Sequence, residues 1–148
     1  MNRKNLVTIR TMNIDHVVLW VDNPRSALDF YVNIIGMHPV RQQEFEEGAA
    51  AFPSVRLNDS TILDLMNRNM LSGVQEFTGG GDGGGLPINH ICLSMDAEDY
   101  SALRTRLIVQ GVELTSGGER AFGAQGQAER SEYFRDPYGN VIEIRHYA

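Results

Sequence analysis

The chain has 148 residues, 42% of them hydrophobic and 22% charged, which is the size and balance of one soluble globular domain. A formal charge of −6 with no basic stripe argues against nucleic acid or an acidic membrane surface as a partner, and no run of about 18 apolar residues marks a membrane span. The single cysteine, Cys92, excludes an intrachain disulfide and a cysteine-rich zinc site and fits a reducing, cytoplasmic setting, while residues 1–10 do not read as a secretory signal.

Residues 14–21 (IDHVVLWV) read as a strand, with Ile14, His16, Val18 and Trp20 on one side and Val17, Leu19 and Val21 on the other. Asp22-Asn23-Pro24 is a helix start, because Asp or Asn caps the first turn and Pro is tolerated within it. Ala27, Leu28, Tyr31, Ile34 and Ile35 form the buried stripe, and Gly36 is a suitable stop. Three weaker strands are expected near 38–44, 50–57 and 61–67, with a tight turn at Asn58-Asp59 between the last two.

From Ile88 the order recurs. Residues 88–95 (INHICLSM) read as a strand, and 96–110 as a helix with Tyr100, Leu103 and Leu107 buried and Gly111 behind it. Strands are expected near 112–114, 128–135 and 141–147, the last two forming a hairpin around Asp136-Pro137-Tyr138-Gly139-Asn140. Aligning Ile14-Asp15-His16 with Ile88-Asn89-His90 also aligns Asp22 with Asp96, and Gly36 with Gly111 to within one position. The chain is thus expected to be an α+β protein of two tandem βαβββ modules. These would form a curved, half-closed mixed sheet with the helices outside. The single domain spans 12–147: module 1 about 12–67, a glycine-rich linker about 68–87 and module 2 about 88–147. The stretch TGGGDGGGL at 78–86 reads as slack linker. A lid at the cavity mouth is the alternative, and a phosphate loop is disfavoured because the glycines do not join a strand to a helix start.

Strand alternation sorts the polar groups. If Leu63 and Leu65 face a helix, Asp64 faces inward, and if Ile142 and Ile144 face a helix, so does Glu143. His16 and His90 fall on the same inner face. Each module therefore offers one histidine on its first strand and one carboxylate on its last, and a buried carboxylate calls for positive compensation. A metal ion would supply it; an arginine such as Arg145 or Arg56 would also do so for Glu143. His38, beside a turn, and His146, on the opposite face from Glu143, read as ordinary residues. Trp20 and Tyr133 read equally as packing or as pocket lining.

Together IDHVVLWV, DNPRSALDFYVNIIGM, INHICLSM and YFRDPYGNVIEI resemble the vicinal oxygen chelate superfamily of glyoxalases, bleomycin-binding proteins, fosfomycin thiol transferases and extradiol dioxygenases. The resemblance covers about 12–147. It implies a divalent metal, zinc, nickel, manganese or iron, held by His16, His90 and Glu143 with Asp64 in the fourth position. It also implies that Tyr133 faces a small-molecule substrate, that Glu143 moves a proton in a glyoxalase-like lyase or isomerase reaction, and that the chain forms a homodimer. Two histidines and one carboxylate equally suit an iron(II) dioxygenase, with Asp64 a bystander. A thiol transferase acting on fosfomycin is expected less, since five residues follow Glu143. A drug-sequestering binding protein is the non-enzymatic alternative, against which the four ligand-capable groups count.

Overall fold

A computed structural model describes residues 14, 16–73, 88, 90–117, 122–123 and 125–148. The first half contains β1 (His16–Val21), α1 (Pro24–Asp29), β2 (His38–Val40), α2 (Gln42–Glu46), β3 (Ser54–Asn58) and β4 (Thr61–Asn67), followed by a 3-10 turn at Arg68–Met70. The second contains β5 (Ile91–Ser94), α3 (Ala97–Val109), β6 (Thr115–Ser116), a short β7–β8 pair (Phe122–Gly123 and Gly126–Gln127), β9 (Arg130–Arg135) and β10 (Val141–His146). The glycine-rich stretch 78–86 lies outside the described residues.

The fold is α+β, with two four-stranded mixed sheets that are hydrogen-bonded separately and not closed. Their orders are β1-β4-β3-β2 and β5-β10-β9-β6. In each, the first strand runs parallel to the last, and the remaining pairs are antiparallel. The internal repeat extends to register. Val18 pairs with Asp64 in the first sheet and Cys92 with Glu143 in the second. His16 and His90 each stand two residues before the partner of the carboxylate.

The helices form for local reasons and stop where expected. Asn23 caps α1 by accepting from Ser26 N at 3.1 Å, and Pro24 occupies the first turn. The helix continues as a π turn over Phe30–Ile35 and ends at Gly36, whose φ of 91° is left-handed. Arg106 of α3 donates to the Ile34 and Ile35 carbonyls at 2.9 and 3.0 Å, satisfying acceptors that the helix end leaves open. Asp96 caps α3 through Asp99 N at 2.8 Å, and Gly111 (φ 73°) follows the helix.

Leu19, Val21, Leu63, Leu65, Leu93, Ile142 and Ile144 point to the helices and join Leu28, Tyr31, Leu103 and Leu107 in one core. Each such side chain contributes about 1.5–3 kcal/mol by leaving water. The inner faces carry the polar rows.

Three local expectations change. Residues 42–46 are helical rather than extended: the Gln-Glu run favours helix, and Gln42–Glu46 and Gln43–Glu47 are bonded four residues apart at 3.0 and 2.8 Å. Residues 112–114 are outside any strand, and the pairing with β9 begins only at Thr115. The first strand of the second half is confined to Ile91–Ser94.

Candidate metal and substrate site

The inner face of the second sheet is built by its four strands. Cys92, Glu143, Tyr133 and Thr115 lie across it in register, and Ser94, Arg145 and Ser131 form the next rank. His90 precedes β5 on the same side. Its Nε2 is 3.2 Å from Glu143 Oε2, with the histidine open to solvent and the carboxylate almost fully covered. The other oxygen, Oε1, accepts from Ser131 Oγ at 2.6 Å and from Arg145 Nη2. The Tyr133 ring meets the His90 ring edge-on, with centroids 5.3 Å apart.

Burial pushes the Glu143 carboxyl upward, but hydrogen bonds from Ser131, Arg145 and Tyr133 and the charge of Arg145 outweigh it, so the group lies below the ordinary carboxylate range. Burial also opposes charge on Arg145, yet its bonds to Glu143 and Tyr147 raise it overall. Burial and then the negative charge of Glu143 push the Cys92 thiol up, which keeps it protonated at neutral pH rather than a thiolate nucleophile. Burial and the carboxylate likewise raise the Tyr133 phenol.

In the first sheet, His16 is exposed and Asp64 is buried on the corresponding inner face. Asp64 Oδ1 accepts from Ser54 Oγ at 2.6 Å, and Arg41 reaches that hydroxyl at 3.5 Å. The structure therefore brings His90, Glu143 and Tyr133 together and sets His16 and Asp64 on the equivalent surface of the other half. Among the described residues, no three His, Cys, Asp or Glu side chains gather in metal-binding range. His146 packs edge-on to Tyr100 at 4.9 Å on the helix side, consistent with an ordinary role.

Two functional candidates escaped the sequence reading in part. Arg145 is visible as a same-face neighbour of Glu143, two residues along the strand. Ser131 carries a subtler signal: it alternates inward with Tyr133, but a serine in a strand rarely draws attention. Tyr133 also lines a cavity of about 600 Å³ together with Phe30, Val112, Thr115, Phe134 and Val141.

The family model described as Glyoxalase/Bleomycin resistance protein/Dioxygenase superfamily matches residues 13–144. The chain belongs to that superfamily. A lactoylglutathione lyase of Neisseria meningitidis serogroup A is 37% identical over 57 residues, 36% of this chain and 41% of that protein. A metallothiol transferase FosB of Shouchella clausii is 34% identical over 55 residues, 37% of this chain and 36% of that one. The chain thus matches less than half the length of these curated relatives. Among solved structures, an integron cassette protein of V. Pseudocholerae superposes with a TM-score of 0.71 at 26% identity, over 95% of this chain and 98% of that one. A glyoxalase/dioxygenase from Nostoc punctiforme gives 0.67 at 20% identity, over 97% and 98%. These likenesses carry the fold.

The superfamily fold implies a divalent ion, and the donors can be tested for it. An imidazole nitrogen and a carboxylate oxygen bound to one ion at about 2.0–2.2 Å lie roughly 3.0–3.4 Å apart at angles between octahedral and tetrahedral. The 3.2 Å separation of His90 Nε2 and Glu143 Oε2 is that of a direct imidazole–carboxylate contact, and it is also compatible with two adjacent positions on such an ion.

Proposed function

We propose that the protein is a metal-dependent enzyme of the glyoxalase type, a lyase or isomerase acting on a small substrate with two neighbouring oxygens. The observation that carries this reading is the His90–Glu143 pair at 3.2 Å on an open sheet face, beside Tyr133 and its cavity. His90 and Glu143 would hold a divalent ion with His16 and, in the fourth position, Asp64. The equivalent face of module 1 carries the latter two, and a homodimer that sets module 1 of one copy against module 2 of the other would complete the set. When bound, the ion supplies Lewis acidity to the substrate's paired oxygens.

The remaining work falls to the chain. Tyr133 contributes an aromatic wall and a neutral hydroxyl to orient substrate. The cavity that Tyr133 lines would receive the substrate body, with His90 and Glu143 outside its walls. Ser131 and Arg145 keep Glu143 ionised at the cost of basicity, and Oε2, once detached from the ion, would take a proton from one substrate carbon and return it to the next.

Elemental analysis of protein purified without added metal tests the reading. A stoichiometric divalent metal that is lost in His90→Ala is expected; equal metal content in the two proteins refutes it. The burial of Asp64 and its engagement by Ser54 favour one second reading, an iron(II) dioxygenase that uses His16, His90 and Glu143 alone. Oxygen uptake with a catechol and iron(II), retained in Asp64→Asn, distinguishes it.

A further inference from the structure

Glu143 is 1% exposed although it shares a sheet face with the exposed Cys92 and with His90. Its cover is polar, and it is unevenly distributed between the two oxygens. A carboxylate oxygen has two lone pairs. On Oε1 both are taken, by Ser131 Oγ at 2.6 Å and by Arg145 Nη2. Oε2 is the oxygen turned to His90.

The position of the serine hydroxyl depends in turn on Gly117. Its backbone N–H donates to Ser131 O at 2.8 Å. A Cβ at this glycine would come within 2.3 Å of Ser131 Oγ and 2.9 Å of Ser131 Cβ. Gly117 is not among the glycines with positive φ, so what the site needs from it is space and not a left-handed backbone.

We infer that Ser131 and Arg145, with Gly117 making room, are positioning residues that lock Glu143 so that it offers one oxygen, Oε2, to a divalent ion beside His90. This inference rests on the metal reading above and adds to it the way the ligand is held. The last torsion of a glutamate is soft and nearly two-fold, so an unclamped carboxylate can exchange its oxygens or present both at once. Ser131 and Arg145 remove that freedom from the Oε1 side, while Oε2 faces His90 with Tyr133 also bonded to the carboxylate.

The experiment is a calorimetric titration of metal-stripped protein with zinc(II), with the visible spectrum of the cobalt(II) form as a second readout. Ser131→Ala is expected to weaken zinc binding by about 10–100-fold. It should also alter the cobalt spectrum, since Glu143 becomes free to offer its second oxygen. Ser131→Thr, which keeps the hydroxyl, restores most of the affinity. Gly117→Ala removes no polar group and is expected to move both readouts in the same direction as Ser131→Ala. If Ser131 serves only to stabilise the fold, Ser131→Ala lowers the melting temperature but binds zinc as tightly as wild type, with an unchanged cobalt spectrum. That result overturns the inference and leaves the metal reading intact. A wild-type chain that takes up no zinc overturns the metal reading, and the inference falls with it.

Discussion

Asp64 and Glu143 occupy the same register place in their sheets, opposite Val18 and Cys92, but they are balanced differently. Asp64 takes its bond from a neutral hydroxyl, Ser54, and the nearby Arg41 reaches that hydroxyl at 3.5 Å while its guanidinium lies over the Phe52 ring. Glu143 takes a guanidinium directly, from Arg145 two residues along its own strand. The place equivalent to Arg145 in the first half is Met66, which pairs with Trp20 as Arg145 pairs with Ser94. Repetition has kept the frame and let the charge balance diverge. A hydrogen-bonded acid in one half corresponds to an ion-paired acid in the other.

The sharpest way to break this comparison is to remove each acid. Glu143→Ala leaves Arg145 buried beside an empty place and should cost about 3–5 kcal/mol in urea unfolding. Asp64→Ala strands only a hydroxyl bond and should cost about 1–3 kcal/mol. Equal losses would show that the two acids are held alike. The helix-facing neighbours should behave the other way, as true equivalents. Leu65 and Ile144 follow the two acids and are both 0% exposed. Truncating either to Ala is expected to cost about 3 kcal/mol by the same measurement.

The helix stops give a smaller contrast. An alanine at Gly36 or Gly111 is forced into a left-handed backbone at a cost of about 1–2 kcal/mol. Gly36→Ala should be the worse, because its Cβ would also meet Arg106 Nη2 at 3.3 Å whereas Gly111 faces open space. The smallest effect at neutral pH concerns Tyr31. Burial, then the charge and hydrogen bond of Asp136, raise its phenol well above the ordinary value. A raised folded value means that this contribution is complete below about pH 10 and is lost as pH rises toward the folded value. Tyr31→Phe should therefore cost about 1 kcal/mol at pH 7 and flatten the alkaline fall in stability, as read from urea midpoints across that range.

Much of this architecture was legible because it is repeated. The pairing of His16 with His90 and the stops at Gly36 and Gly111 are sequence-local, and alternation along β4 and β10 places Asp64 and Glu143 opposite the core. The short helix at Gln42–Glu46 was not legible as such, because its flanking strands suggested extension while its own residues favour a turn of helix. Ser131 was obscured for a different reason. Its importance comes from a partner twelve residues away in the chain and from the missing side chain at Gly117, and neither leaves a periodic trace. Arg145 could be foreseen as a partner for Glu143, though nothing in the strand pattern says which oxygen it takes.

Asp136 ties the hairpin to the rest of the molecule. Its Oδ1 accepts from the Tyr138 and Asn140 amides, both at 2.9 Å, and its Oδ2 from Asn140 Nδ2 at 2.8 Å and from Tyr31 Oη at 3.0 Å. Three of these bonds shape the turn before β10; the fourth comes from the helical segment of the opposite half. The strand that presents Glu143 is thus moored at its start to the other repeat. A truncated chain beginning at residue 88 would keep every strand of the second sheet yet lose that mooring, so the halves are not interchangeable cassettes.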